Sequence, residues 1–404
     1  MNGEYWVWLS LVLGTSCEKV HTVLERFGDA KAFHDADDKE KISACGLSAA
    51  QIKRLHSIPR RRIYNIMRDC EKSGVRIVGP TDSEYPDKLL SIPDPPAVLY
   101  IKGKPLSVDN RLSVAVVGPR HISDYGADIA YVISETLASC GAVVVSGGAL
   151  GGDSAAHNGA MDSSGFTVGV LGAGINSGYL MKNEELRSKI TNNGCLVSEY
   201  PPSQPASKGS FPRRNRIMSG LCDAVVVVEG GLKSGTLITA RHAAEQGRDV
   251  FVIPGSPSVP QYEGSNRLIA DGARPLLSAS DIINEYAYTY TDTLHIIEND
   301  HGFGDENVSG KAQAKESADR QNTGEKHADE KPSKPITDTD LAALSDNAAA
   351  LYKALSVKSA DEFSADDAAE ITGMDISDVF SAVTELEIAG LVKAGFGGRY
   401  STVK

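Results

Sequence analysis

A chain of 404 residues, 41% hydrophobic and 23% charged, is too long for one small domain and ordinary in composition for a globular protein. No apolar run approaches the roughly 20 residues that cross a bilayer, the start Met1-Asn-Gly-Glu4 lacks the basic region of a secretory signal, and the six cysteines form no C-x-x-C pair. These features disfavour a membrane protein, a secreted disulfide scaffold and a zinc site, and point to reduced thiols in a cytoplasmic protein. The net charge of −12 argues against nucleic acid only until its distribution is read: residues 300–375 hold 17 acidic and 8 basic residues, and the remainder is close to neutral with local basic clusters.

Residues 1–72 read as a small helical unit. Trp6, Leu9, Leu11 and Leu13 form a first apolar segment. Val20, Val23, Leu24 and Phe27 share a helix face that Gly28 stops, and Ser48 caps a later helix. The run Arg60-Arg61-Arg62 is open to two readings, a solvated helix face or a phosphate-contacting patch. Short strands at 75–78 and 98–101 follow, joined by Tyr85-Pro86 and Pro93-Asp94-Pro95-Pro96, which force extended backbone and turns.

The main domain, taken with this connector, spans 73–289. Its opening unit runs from strand 113–117 through Gly118-Pro119-Arg120 into a helix with Ile129, Val132, Ile133 and Leu137 on one face. After Gly141 a second strand, 142–145, breaks at Ser146-Gly147-Gly148 before a helix near Asp153. Apolar runs without alternation are strands buried on both faces. Further strands at 167–171, 196–200, 224–228 and 249–253, with helices between, make a doubly wound parallel α/β sheet. Residues 290–338 are polar and apolar-poor, a flexible linker. Residues 339–404 suggest three helices and a terminal hairpin, the winged-helix arrangement.

In such sheets ligands bind outside the carboxyl ends of the strands. Four loops belong to that edge: Gly118-Pro119-Arg120, Ser146-Gly147-Gly148, Gly172-Ala173-Gly174 and Ser234-Gly235-Thr236. Their backbone donors, hydroxyls and single Arg suit phosphate. The dinucleotide pattern G-x-G-x-x-G is missing and no acid ends the second strand, so NAD is disfavoured and no cofactor is expected. The segment Phe211-Pro212-Arg213-Arg214-Asn215-Arg216 places three planar, permanently charged guanidinium groups beside these loops. One of them can instead pair with Glu199 or Glu229, and Phe211 can either stack on a base or be buried. No nucleophile or metal cluster stands out. Asp153, an N-cap candidate, and His157 are four apart on a helix, and His242 and Glu245 have the spacing of a surface pair.

The ordered set Val114–Arg120, Val145–Gly148 with Gly151–His157, Val170–Gly172, Ser198–Pro202, Phe211–Arg216, Ser234–Arg241 and Val252–Gly255 resembles the DprA/Smf family of bacterial DNA-processing proteins. The resemblance implies an extended Rossmann-like fold with a helical N-terminal domain of the SAM or helix-hairpin-helix kind and a C-terminal winged helix. It also implies a non-enzymatic homodimer that binds single-stranded DNA and loads the RecA recombinase during natural transformation. The family's DNA-binding Arg carries over to Arg120. Pro119, with neither hydroxyl nor N–H, stands where the family has Ser, and Leu150 stands where it has Arg. Lys182, beside Asn183, offers a displaced cation. The implied DNA-binding set is therefore Gly118, Arg120, Ser146, Gly147, Gly148, Lys182, Arg213, Arg214, Asn215, Arg216, Ser234, Gly235 and Thr236.

The rival is a Rossmann-like nucleotide phosphoribohydrolase, which Glu229-Gly230-Gly231 with Gly235-Thr236 and Glu245 distantly resembles. In the C-terminal unit the helix expected over 376–389 carries Asp378, Glu385 and Glu387 and no Lys or Arg, which favours protein docking over groove reading.

Overall fold

The computed structural model describes residues 3–15, 17–178, 183–296, 345–358, 362–375, 378–379, 382–383, 385–386, 391–394 and 399–402. Lys182, most of the expected linker and much of the expected helix over 376–389 lie outside the described residues. The chain divides into two compact units, Met1–Thr323 and Gly324–Lys404.

The valine-rich runs form the centre of the first unit because unalternated apolar strands need cover on both faces. The strands are β1 (Arg76–Val78), β2 (Leu99–Gly103), β3 (Ser113–Val117), β4 (Val143–Ser146), β5 (Thr167–Leu171), β6 (Cys195–Ser198), β7 (Ala224–Val227), β8 (Asp249–Val252) and β9 (Arg274–Pro275). They make one sheet in the order β1-β2-β6-β5-β4-β3-β7-β8-β9. From β6 to β9 every neighbouring pair is parallel, with β3 flanked by β4 (Val114↔Val144) and β7 (Val114↔Ala224). The two connector strands extend this Rossmann-like sheet, β2 antiparallel to β6 and β1 antiparallel to β2. The sequence marks them only as short strands, because it carries no sign of which edge they join.

The helices before the sheet are α1 (Gly3–Leu13), α2 (Lys19–Phe27), α3 (Ala30–Asp35), α4 (Asp38–Cys45), α5 (Ala49–Ser57) and α6 (Arg60–Ser73). Within the sheet region lie α7 (Asp87–Leu90), α8 (Asp124–Ser139), α9 (Gly152–Asp162), α10 (Glu184–Asn193), α11 (Ser210–Gly220), α12 (Thr236–Glu245), α13 (Glu263–Ala270) and α14 (Ala279–Tyr286). Alternate residues of β3 face opposite layers: Ala115 and Val117 pack with Ile217 of α11 and with Leu221 just after it, Val114 and Val116 with Ile129 and Ile133 of α8. Ser123 caps α8, accepting from Gly126 N at 3.0 Å. No helix among the described residues is long and apolar enough to cross a membrane.

The N-terminal helices lie directly on the sheet. Trp6, Leu9 and Val12 of α1 share one core with Tyr100 of β2 and Leu196 of β6. Trp6 is fully buried, and any Cβ on Gly79 would collide with its ring. In the second unit α15 (Asp346–Lys358) and α16 (Ala365–Thr372) accompany a sheet ordered β10 (Glu362–Ser364), β12 (Arg399–Thr402), β11 (Val392–Ala394). Leu351, Leu355, Phe363, Ala368, Val383 and Leu386 form its core, as a winged helix requires. The strand at Phe363 is an addition to the expected hairpin.

Because Trp6 joins the helical segment to the sheet, Trp6→Ala is expected to cost ~3–5 kcal/mol in urea unfolding followed by circular dichroism. A loss below about 1 kcal/mol would show that the helices do not lean on the sheet.

Candidate nucleic-acid interface

Strand order reverses about β3: β4, β5 and β6 lie to one side, β7, β8 and β9 to the other. The loops leaving β3, β4, β5 and β7 therefore share one edge at a topological switch point. Glycines let these loops touch backbone to backbone. A Cβ on Gly152 would stand 2.6 Å from Gly118 Cα, and Gly151, at φ +79°, would drive one into the carbonyls of Pro119 and Arg120. Gly152 N donates to Pro119 O at 3.2 Å. Pro119 thus serves as an acceptor, for which its missing N–H is no handicap.

Arg214 is buried beneath the edge. Its Nη1 donates to Gly147 O at 2.8 Å and to Val170 O, joining the ends of β4 and β5. Its Nε donates to Asn215 Oδ1 at 3.2 Å. A Cβ on Gly147 would lie 2.5 Å from both this guanidinium and Asp153 Oδ2. Asp153 accepts from Ala149 N at 3.3 Å. Burial raises its carboxyl pKa, opposed by the Arg214 charge and by the backbone N–H groups of Ala149 and Gly147. The N-cap of α9 is Gly151, with Asp153 inside the first turn, which corrects the expected cap. His157 turns elsewhere. Thr167 Oγ1 donates to Val144 O, so its oxygen accepts from His157 Nδ1 at 2.8 Å. Burial, helped by the Arg214 charge, lowers the imidazole pKa to about 3, so His157 is a neutral core residue.

Arg216 is 2% exposed, with Nη2 2.7 Å from Glu199 Oε1 and Nε 3.0 Å from Asp94 Oδ2. The expectation of phosphate contact is corrected for Arg214 and Arg216: two positions apart on α11, they point into the protein, one beneath the loops and one toward two carboxylates. Ser146 is corrected likewise. Its Oγ is buried and donates to Val116 O at 2.8 Å. Asn215, also buried, donates from Nδ2 to Gly235 O at 3.3 Å and ties α11 to the loop before α12. Thr236 is buried, with Oγ1 donating to Ser234 Oγ at 2.8 Å.

The outer surface holds the rest. Arg120 is exposed, its guanidinium 5.4 Å from the centroid of the Phe211 ring. Phe211 is half-buried, and a Cβ on Gly172 would meet its ring at 2.8 Å. The ring is thus sandwiched between the β5 loop and the cation. Arg213 is exposed, its Nη1 3.4 Å from Thr15 Oγ1. Gly118 and Ser234 are partly exposed and Gly235 exposed. Gly147 and Gly148 are both buried, which corrects the expectation that they face the ligand side directly. Lys208, two residues before α11, and Lys233, in the Gly230–Thr236 loop, are exposed cations that sequence reasoning missed. Their only sequence signal is a lone cation among Gly and Ser.

The carboxylates of the rival reading serve other ends. Glu245 sits on the surface of α12 with its Oε2 3.5 Å from His242 Nδ1. Glu229 is fully buried and accepts from Ser123 N at 3.2 Å and Ser123 Oγ at 2.6 Å, bracing the start of α8. Among the described residues no group of three or more His, Cys, Asp and Glu side chains is arranged to hold a metal ion.

A Rossmann-like sheet with a Gly-rich, Arg-bearing switch-point edge, in one chain with a winged helix, defines an α/β protein of modular build. Residues 76–287 match the family model for DNA recombination-mediator protein A, and residues 335–398 match that for the DprA winged helix domain. The chain belongs to this DprA/Smf family. Protein Smf of Synechocystis sp. is 33% identical over 83% of this chain and 82% of its own length. DNA processing protein DprA of Streptococcus pneumoniae is 40% identical over 51% of this chain and 73% of its own. The X-ray structure of the Streptococcus pneumoniae protein superposes with a TM-score of 0.63 at 32% identity, covering 70% of this chain and 98% of that one.

Two stability measurements check the inward-facing set. Arg216→Ala leaves Glu199 buried without this partner and is expected to cost ~3–5 kcal/mol in urea unfolding, while exposed Arg213→Ala should change little. For His157 the folded pKa of about 3 lies below the ordinary 6.5, so the unfolded chain binds the extra proton between those values. Stability therefore falls as pH drops through that window, by up to ~1.4 kcal/mol per unit relative to His157→Asn. Parallel pH profiles for the two proteins would show that His157 is not buried neutral.

Proposed function

We propose that this protein binds single-stranded DNA along the switch-point edge and, as a homodimer, delivers it to the RecA recombinase without catalysing a reaction on it. The observation that carries the reading is the outward-facing Arg120–Phe211 stack with exposed Arg213 on the same edge. A guanidinium binds phosphate oxygens bidentately, and an aromatic–cation platform accepts any base, which suits sequence-independent single-strand binding. Membership of a DNA-processing family supports the reading.

Arg214 contributes indirectly. In a trans peptide the C=O and N–H point opposite ways, so a Gly147 carbonyl drawn in to Arg214 turns the Gly148 N–H away from that buried charge. Gly148, at φ +64°, holds this turn without a side chain over the donor. Arg216 acts as a clamp that positions α11. Leu150 is exposed and adds contact area without charge. The winged helix serves in this reading as a protein-docking module.

Fluorescence anisotropy with labelled oligothymidine and a matched duplex, across a salt series, tests the proposal. Preferential, salt-sensitive binding of the single strand is expected. Arg120→Ala combined with Arg213→Ala should flatten the log–log salt slope by about 0.7 for each phosphate that the variant no longer neutralises. An unchanged slope would remove these residues from the interface, and equal affinity for the duplex would overturn the single-strand reading.

A further inference from the structure

A cleft of about 500 Å³ lies beside the edge, between the start of α6 and the turn that follows β6. Its walls include Arg61, Arg62 and Asn65 from the helix and Pro201, Pro202 and Gln204 from the turn. The volume falls within the range of small-ligand sites, roughly 300–1,000 Å³. Building on the single-strand reading above, we propose that this cleft holds a further nucleotide of the bound strand, its base against the proline wall and its phosphate at Arg61 and Arg62.

Three observations converge on this occupant. The first is an electrostatic conflict. Arg60, Arg61 and Arg62 open a 14-residue helix whose first turn holds no acidic residue and whose N-cap, Pro59, provides no side-chain cap. Three cations at the positive end of a helix dipole oppose local stability, and an anion resolves the conflict. All three are exposed, and among the described residues no carboxylate lies within ion-pair distance of them. Asp69, also on the wall, has its Oδ1 3.8 Å from Arg68 Nη2.

The second observation is chemical. Pro201 and Pro202 offer an apolar surface, while Asn65 and Gln204 carry carboxamides that both donate and accept, as base edges require. The third is continuity. Asn176 N donates to Pro202 O and Gly174 N to Gln204 O, each at 2.8 Å, so the turn that walls the cleft is fastened to the β5 loop. Gly172 of that loop carries the Phe211 ring against Arg120. The cleft thus lies past β5 from the Arg120–Phe211 platform, joined to it through the β5 loop.

The full-length protein with labelled oligothymidines of increasing length tests the inference. For Arg61→Ala combined with Arg62→Ala, strands too short to leave the Gly-loop edge should bind as in the wild type. Longer strands should bind more weakly, with a salt slope reduced by about 0.7 for each phosphate released from the two side chains. The double variant should melt no lower than the wild type, since it removes like charges from a helix N-terminus. A photoactivatable thymidine analogue in the longer strand should cross-link to a peptide containing Asn65 or Gln204. Wild-type affinity and slope for every length, with no such cross-link, would overturn the cleft and leave the Gly-loop edge standing. Failure of the wild type to bind any strand would overturn both.

Discussion

The buried guanidinium of Arg214 organises the edge on which the proposed function depends. It takes two backbone carbonyls, one from the end of β4 and one from the end of β5, and brings α11 down on both. Its cost in desolvation is large, and it is met by those carbonyls and by the nearby charge of Asp153. Gly147 has no room for a Cβ because this guanidinium and that carboxylate flank it. His157 is driven neutral partly by the same charge. The carbonyls of Gly147 and Val170 are committed to this one side chain.

A second buried charge acts at longer range. Arg216, held between Glu199 after β6 and Asp94 in the Pro-rich connector, fixes α11 against the antiparallel extension of the sheet. Together the two arginines fix α11 from two sides, leaving Arg213 to face solvent. The rigidity of the edge thus comes from charges that no ligand touches.

Much of this was legible in the sequence. Unalternated valine runs can only be strands buried on both faces, and glycine breaks after them mark the carboxyl edge. The motif order identified the family. What was not legible was direction. Arg213, Arg214 and Arg216 look like one cluster, yet successive helical positions differ by about 100°, so neighbours in sequence face different ways. The carboxylates of Asp94 and Glu199 turn Arg216 inward and the carbonyls of Gly147 and Val170 turn Arg214 inward, all of them distant in sequence. Likewise the carbonyl role of Pro119 depends on Gly152 approaching from another loop, and Lys233 gives no period or motif to find it by. The basic run at the start of α6 gained meaning only when β6 brought a proline turn opposite it.

The placement of α1 has a spectroscopic consequence. Both tryptophans of the chain, Trp6 and Trp8, lie on this one helix and are buried against its neighbours. Tryptophan emission therefore reports on a single seam, where the N-terminal helices meet the sheet. An emission change on adding a ligand would signal rearrangement of that seam, an internal reporter requiring no introduced dye.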